Sequence, residues 1–244
     1  MPNLHHNVQK NEVTMLYPFV NFHIHSSRQR NEIAFRNVRA SERNSLSQIN
    51  EYISVGIHPW DVHLPDLDEQ WHYVEKQAKE PSALLIGEAG LDRNAQATIE
   101  TQIEIFTKHI SLAEQLQKPL VIHCVRAFPE LIQLKKQKYS TVTWIVHGYN
   151  ANLTIATQLL DHGFYFSLGS ALLHTTSNAG QLLKVIPPDR FFLETDDKYI
   201  TIEEIYQMAS SILNNSIEAL TKDIFTRVLN LFPEIAHTYT SSQK

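Results

Sequence analysis

Residues 18–25 have the sequence PFVNFHIH, an apolar run that ends in two histidines separated by a single isoleucine. A short apolar run of this kind predicts a buried β-strand. Residues two apart on an extended strand point to the same side, so both imidazoles can reach one ion. Imidazole is a common ligand of divalent metals. The stretch therefore predicts a strand that carries a pair of metal ligands, His23 and His25, at its carboxyl end.

Four later apolar runs also end in a histidine or a carboxylate. They are ALLIGE at 83–88, PLVIH at 119–123, TWIVH at 143–147 and FFLETD at 191–196. With the first run they supply six candidate metal ligands, which are His23, His25, Glu88, His123, His147 and Asp196. Nitrogen and oxygen ligands at one strand end after another are hard to explain by packing and indicate a metal-dependent hydrolase.

The rest of the chain alternates between strand and helix patterns. Strands are predicted at 17–23, 32–36, 52–57, 83–87, from Pro119 on, 143–146, 164–168 and 190–194. Helices are predicted at 66–79, 97–117, 128–137, 153–161, 179–185, 202–213 and 216–231. Strands that alternate with helices favour a parallel sheet, and 244 residues suit a barrel of about 250. The predicted fold class is α/β, a single-domain (β/α)8 TIM barrel.

Composition sets the expected organisation and location. We expect a flexible lead at 1–16, with Met15 as an alternative start, a barrel at 17–235 and a tail at 236–244. A net charge of −5 argues against binding nucleic acid by bulk electrostatics. The single cysteine, Cys124, excludes an internal disulfide and fits a reducing cytoplasm. No apolar run approaches the roughly 20 residues of a membrane helix, and no obligate protein partner is expected.

A known family shares the order and sequence of these motifs. The stretches NFHIH, VGIHPW, LIGEAGLDR, QIEIFTKHISLAEQLQKPLVIHC, VHGYNAN, FFLETD and TRVLNLFPE resemble the TatD family of metal-dependent deoxyribonucleases, within the amidohydrolase-like barrels. The resemblance implies that the six candidates are the family's metal ligands and hold two divalent ions (Mg²⁺, Mn²⁺ or Zn²⁺). It also implies catalytic roles for Glu88, which bridges the ions, and for Asp196, the base that activates water. The implied reaction is phosphodiester hydrolysis, with 3′-to-5′ trimming of DNA, in the cytoplasm.

Several residues near the predicted centre allow two interpretations. His58 contacts a substrate phosphate or caps a turn, and Arg126 clamps a phosphate or pairs with Glu130. Glu88 binds metal or forms a salt bridge with Arg93 or Arg126. Glu194 fills the barrel interior or orients a ligand histidine. Trp60 stacks on a base or packs at the rim.

The chain departs from the family pattern in its substrate-facing loops. The family usually has a second histidine where Trp60 stands, and its arginine after strand 5 lies one place before Arg126. Asp197-Lys198 replaces the usual Ser-Pro after Asp196, and the segment between His25 and Gly56 is short. The substrate is therefore DNA or a small phosphoester. The alternatives are a metal-dependent hydrolase of another small-molecule bond, such as an amide or lactone, and a non-catalytic metal-binding barrel.

Overall fold

The computed structural model describes residues 17–26, 32–43 and 51–236. The predicted lead at 1–16, with Met15, lies outside the described residues, and so does the tail from residue 237 on. The described residues form eight strands in the order β1 to β8, and each strand pairs in parallel with the next. The predicted (β/α)8 barrel is confirmed.

The strands begin and end close to the predicted positions. They are β1 Phe19–Ile24, β2 Glu32–Arg39, β3 Tyr52–Gly56, β4 Ala83–Asp92, β5 Leu120–Val125, β6 Trp144–Val146, β7 Tyr165–Leu168 and β8 Phe191–Leu193. Most of their side chains are apolar and buried because a parallel sheet is covered on both faces. Inside the barrel, for example, the rings of Phe22 and Phe192 stack with centroids 4.0 Å apart.

The helices also follow the predicted pattern. They are α1 Leu67–Gln77, α2 Ile99–Leu116, α3 Phe128–Lys138, α4 Leu153–Asp161, α5 Asn178–Leu183, α6 Ile202–Leu213 and α7 Ile217–Leu231. Five of them start after a residue whose side chain accepts a backbone N–H, namely Thr98, Asn152, Ser177, Thr201 and Ser216, as Ser, Thr and Asn commonly do at a helix start. Among the described residues, none of the helices combines the length and apolar character needed to cross a membrane.

The first crossover of the barrel is unusually short. Residues 25–31 alone connect Ile24 to Glu32, whereas a parallel crossover usually takes a dozen residues or more. Between β2 and β3 the described residues contain only a 3₁₀ helix, Ala40–Glu42. Among the described residues the first α-helix therefore comes after β3.

Closure of the barrel joins β1 to the residues that follow β8. The Asp196 amide donates to the His23 carbonyl at 2.9 Å, and the His25 amide donates to the Asp196 carbonyl at 3.3 Å. Side chains add to the closure, because Asn21 Nδ2 donates to Thr195 Oγ1 at 2.9 Å and the Thr195 amide donates to Asn21 Oδ1 at 3.0 Å. The same backbone bonds that complete the barrel thus hold three candidate ligands side by side.

Strand β4 is the main departure from the prediction. It continues to Asp92, so the expectation that Glu88 ends its strand is wrong. Two glycines in the strand allow an irregular course: Gly87 has φ of +122° and Gly90 of +150°, and the register with β5 shifts between Ile86 and Ala89. Glycine adopts these angles at little cost, and Glu88 is therefore set inside the barrel mouth.

Candidate metal centre

Glu88 lies at the centre of the candidate site and is buried. Its Oε1 is 2.9 Å from His123 Nδ1 and 2.8 Å from His147 Nε2. Its Oε2 is 3.6 Å from His23 Nε2 and 3.8 Å from His25 Nε2. Glu88 Oε2 therefore faces the two imidazoles at the end of β1, and Oε1 faces those of His123 and His147, with His58 Nε2 also 3.1 Å from Oε1.

Asp196 completes the group from the far side of the barrel closure. Its Oδ1 lies 3.2 Å from His25 Nε2 and 3.7 Å from His23 Nε2. The residue has a φ of +57°, a left-handed conformation that aspartate tolerates better than most side chains. Its side chain is 30% exposed and so borders the solvent at the barrel mouth. The structure brings all six predicted ligand residues together.

Asn37 on β2 holds the central carboxylate in place. Its Nδ2 donates to Glu88 Oε2 at 2.9 Å, and its Oδ1 accepts the Glu88 amide at 3.1 Å. The residue is buried, and a buried amide side chain needs partners of this kind. Sequence reasoning missed Asn37, although a polar residue in the middle of a strand, FRNVR, is a usable signal.

Asp92, at the end of β4, orients the imidazole ring of His123. His123 Nε2 lies 3.0 Å from Asp92 Oδ2 and Nδ1 lies 2.9 Å from Glu88 Oε1, so the protonated ring donates to both carboxylates. A bound cation would displace the Nδ1 hydrogen and leave Nε2–H donating to Asp92. Asp92 also accepts Trp60 Nε1–H at 2.7 Å and the Asn94 amide at 2.8 Å. Carboxylates that orient a ligand histidine in this way are common around metal sites. Asp92 had no predicted role, although it is an acid that directly follows apolar Leu91.

His58 takes the turn-capping position that the sequence left open, and its contact with a substrate phosphate stays a prediction. The Trp60 amide donates to His58 Nδ1 at 3.1 Å, so the residue caps the 3₁₀ helix Pro59–Asp61. Because a backbone N–H can only donate, the neutral ring carries its hydrogen on Nε2, which lies 3.1 Å from Glu88 Oε1. Burial lowers the pKa of His58 below its ordinary value and favours this neutral form. His58 therefore offers the centre an N–H donor rather than a lone pair.

Glu194 lies beneath His147. It is fully buried, its Oε1 accepts the Gly148 amide at 2.7 Å, and the same oxygen lies 3.6 Å from His147 Nδ1. Burial lowers the pKa of His147, but the charges of Glu88 and Glu194 outweigh it and raise this pKa well above its ordinary value. Glu194 thus fills the barrel interior and also faces a candidate ligand.

Arg126 lies at the rim and does not make the predicted ion pair. It is exposed and has a φ of +57°, and its carbonyl accepts Arg93 Nε–H at 2.9 Å. Arg93, rather than Arg126, forms the salt bridge with Glu130. The alternative in which Glu88 pairs with either arginine is also wrong, because within the described residues its partners are imidazoles and Asn37.

The two central acids are ionised at neutral pH even without a bound metal. Burial raises the pKa of Glu88, but the charge of His147 and the hydrogen bond from His123 outweigh it and hold this pKa well below the ordinary value. Burial likewise raises the pKa of Asp196, yet the hydrogen bond from His25 and nearby imidazole charges lower it to about 2. Both carboxylates are therefore available as anionic ligands.

The donor set fits divalent cations. Three groups of described residues each place their ligand atoms within 4.8 Å of one another: His23 with His25 and Glu88, His23 with His147 and Asp196, and His58 with Glu88 and His123. The Nε2 atoms of His23 and His25 face each other at 3.2 Å, an arrangement that a shared cation would stabilise. Imidazole nitrogen and carboxylate oxygen together suit Zn²⁺ or Mn²⁺.

Comparison with known proteins agrees with this chemistry. The family described as TatD related DNase matches residues 8–228. The chain belongs to the TatD family. The resemblance drawn from the motifs is thereby confirmed.

A curated relative of this TatD-family chain is the uncharacterized metal-dependent hydrolase YcfH of Escherichia coli K12. It is 31% identical over 159 residues, a stretch that covers 62% of this chain and 57% of YcfH. The match therefore spans little more than half of that relative's length.

Solved TatD structures share the fold of this TatD-family chain. A TatD family hydrolase of Entamoeba histolytica superposes with a TM-score of 0.71 at 18% identity, over 90% of this chain and 100% of the other. YJJV, a TatD homologue of Escherichia coli, gives a TM-score of 0.73 at 16% identity, over 88% and 98% of the two chains. At these identities the likeness establishes the fold alone.

Proposed function

We propose that this chain is a divalent-metal-dependent hydrolase that cleaves phosphodiester bonds in DNA, trimming the strand from its 3′ end. The observation that carries the proposal is the position of Glu88, whose two oxygens face separate histidine pairs. Such a carboxylate suits a two-cation site, a common arrangement in nucleases and phosphatases. The name of the matching family, TatD related DNase, supports DNA as the substrate.

The residues divide between two cation positions that share Glu88. His23, His25 and Asp196 would hold one cation with Glu88 Oε2, and His123 and His147 would hold the other with Glu88 Oε1. Divalent cations bound there would lower the pKa of a water from 15.7 towards about 7 and offset negative charge on the phosphate.

Side chains of the protein accept the proton, orient Glu88 and bind the substrate phosphate in this proposal. Asp196 is ionised and borders the solvent, so it is placed to accept the proton that the attacking water loses. His58 donates its Nε2–H toward Glu88 Oε1 and keeps that carboxylate oriented. Arg126, exposed just after β5, is the proposed contact for a substrate phosphate, since a guanidinium can bind phosphate through two hydrogen bonds.

A nuclease assay with matched variants tests the proposal. We expect the full chain with Mg²⁺ or Mn²⁺ to shorten a 5′-labelled single-stranded DNA, and a chelator to stop the reaction. Asp196→Asn should lower the rate by at least about 100-fold, a typical contribution of a general base. Asp197→Asn removes the neighbouring exposed acid, which pairs with Lys198, and should retain activity. Wild-type rates in Asp196→Asn would contradict the assigned base.

A second function keeps the same centre and changes the substrate. The altered loops at Trp60 and after Asp196 favour an amide, lactone or small phosphoester as the bond that is cleaved. A panel of such substrates, assayed under the same metal conditions, separates the two functions. Hydrolysis of a small ester or amide without cleavage of any oligonucleotide would replace the DNA proposal with this one.

A further inference from the structure

Trp60 presents a large aromatic surface to solvent beside the candidate centre. Its side chain is 52% exposed, whereas His58, two residues earlier, is buried. The indole stands where the family usually has a histidine, so the family pattern does not account for it. An exposed tryptophan at the mouth of a polar site is available to a ligand that offers a flat ring.

A hydrogen bond fixes the orientation of the indole. Trp60 Nε1 donates to Asp92 Oδ2 at 2.7 Å, and Asp92 is itself buried. Bonds to a charged acceptor are among the stronger hydrogen bonds in proteins. The ring therefore keeps one position before any ligand arrives, and a ligand that stacks on it loses little entropy to ordering the protein.

The neighbouring imidazoles do not cover the indole face to face. The ring of His58 is 4.9 Å away at an interplanar angle of 78°, and the ring of His123 is 6.2 Å away at 69°. His58 Nε2 in turn lies 3.1 Å from Glu88 Oε1. One imidazole thus lies between the indole and the central carboxylate.

Positive charge lies at the same rim. Arg93 directly follows Asp92, its side chain is 47% exposed, and its Nε–H donates to the carbonyl of Arg126. Arg93 and Arg126 thus directly follow the ends of β4 and β5, and Arg93 also pairs with Glu130. Aromatic faces combined with cationic side chains are the usual means of holding single-stranded nucleic acid.

We infer that Trp60 is a stacking platform for a nucleobase of single-stranded DNA next to the scissile phosphodiester, an inference that rests on the proposed function. Stacking uses the flat face that every base has, so the platform accepts any base. A base inside a duplex is already stacked and paired, and it cannot offer that face. The platform thus selects single strands and frayed 3′ ends.

Two oligonucleotides and two variants isolate the role of the ring. One oligonucleotide is all thymidine, and the other has the same phosphodiesters with an abasic residue at every position. Stacking predicts a wild-type KM about tenfold lower for the thymidine strand. Trp60→Phe and Trp60→Leu both lose the N–H, so any change they share reports the loss of Asp92's partner. Trp60→Leu alone loses the ring and should have the higher KM, by several-fold, on the thymidine strand only.

A binding measurement adds a readout that does not depend on turnover. In full-length Asp196→Asn protein with Mg²⁺, added oligothymidine should quench tryptophan fluorescence, and the further change Trp60→Phe should remove most of the quenching. Trp71→Phe is the matched control, because Trp71 packs against His109 on the helical side of the barrel. It should leave both KM and the quenching by Trp60 unchanged.

The outcomes separate the inference from the function on which it rests. Equal wild-type KM for the two oligonucleotides, with equal values for Trp60→Phe and Trp60→Leu, would overturn the stacking platform and leave the nuclease proposal standing. If the wild type cleaves neither oligonucleotide with Mg²⁺ or Mn²⁺, both are overturned. A ring-dependent KM on the thymidine strand alone supports both.

Discussion

Among single residues, Asp92 acts on the centre through the ring of His123. It accepts the Nε2–H of His123 at 3.0 Å and so directs the Nδ1 lone pair at the candidate cation position. We predict that Asp92→Asn weakens the binding of Mn²⁺ or Zn²⁺ by 10- to 100-fold, the usual effect of removing such a partner. Isothermal titration calorimetry on the full chain measures this change.

A second aspartate-to-asparagine substitution, far from the centre, controls for the negative charge that Asp92→Asn removes. Asp161 is an exposed acid at the end of α4, and Asp161→Asn should bind metal as the wild type does. Nitrogen-15 NMR of the imidazoles adds a direct readout, because wild-type His123 should carry its hydrogen on Nε2. Unchanged metal affinity in Asp92→Asn would show that Asp92 does not orient His123.

His109 gives a pH-dependent prediction. It is fully buried on α2, where its Nε2 accepts the Ile57 amide at 3.0 Å and its Nδ1–H donates to the Ile105 carbonyl at 2.9 Å. Burial lowers its pKa from 6.5 to about 4. Between those values the unfolded chain binds a proton that the folded chain does not, so stability falls as pH falls. Between pH 7 and pH 5 this residue should remove about 2 kcal/mol of unfolding free energy.

The comparison with His109→Gln isolates that contribution. Glutamine does not titrate, so urea denaturation at pH 7 and pH 5 should show a smaller loss of stability in the variant, by about the same 2 kcal/mol. All other titrating groups are common to both proteins and cancel. Identical losses in the two proteins would mean that His109 is protonated as readily in the folded chain as in the unfolded one.

At the scale of elements, the irregular course of β4 depends on Gly90. A Cβ at this position would lie 2.0 Å from the His123 carbonyl oxygen, and φ is +150°. We predict that Gly90→Ala lowers the unfolding free energy by about 3 kcal/mol or more, because backbone strain and overpacking add. Urea denaturation provides the measurement.

Substitution of Gly163 measures the cost of a positive φ without the steric contact that Gly90→Ala adds. Its φ is +77°, and a Cβ there would meet nothing within 4 Å. Gly163→Ala should therefore cost only the left-handed conformation, about 1 kcal/mol. If Gly90→Ala cost no more than Gly163→Ala, then β4 and β5 would not pack as closely as described.

The elements themselves were largely predictable, and the exceptions have physical causes. Apolar runs such as LLI and FFL are long enough to indicate buried strands from the sequence alone. The end of β4 was not predictable from the sequence, because glycines such as Gly87 and Gly90 are more common in turns than in strands. Whether a glycine breaks a strand or lets it bend depends on the neighbouring β5 backbone, which the local sequence does not contain.

For the whole molecule, metal binding should stabilise the fold. The candidate ligands come from β1, β4 and the ends of β5, β6 and β8, so an unfolded chain cannot hold a cation with all of them. At 100 times the Kd, one such cation adds about 2.7 kcal/mol, or roughly 5–10 °C in Tm for a chain of this size. In differential scanning fluorimetry, the Tm of the wild type should fall by this amount when a chelator replaces Mn²⁺. The Tm of Glu88→Gln should fall by less. The same wild-type Tm in both buffers would contradict a metal site of this kind.

The site was predictable only in part. Residues that end an apolar run, such as His123 and Asp196, stand out because nothing apolar explains them. Asn37 and Asp92 were missed because their roles follow from contacts across the barrel, to Glu88 and His123, which no local pattern encodes. The Arg126–Glu130 pair could not be excluded from the sequence for a similar reason, because Glu130 pairs instead with Arg93, which follows a different strand.

The central claim is that Glu88 joins two cations, one at each oxygen. Anomalous X-ray diffraction from crystals of the full chain grown with Mn²⁺ or Zn²⁺ tests it most directly. We expect two anomalous peaks about 3.5–4 Å apart, one between Glu88 Oε2 and the His23–His25 pair and the other between Oε1 and His123 with His147. A single peak, or peaks that do not touch Glu88, would contradict it.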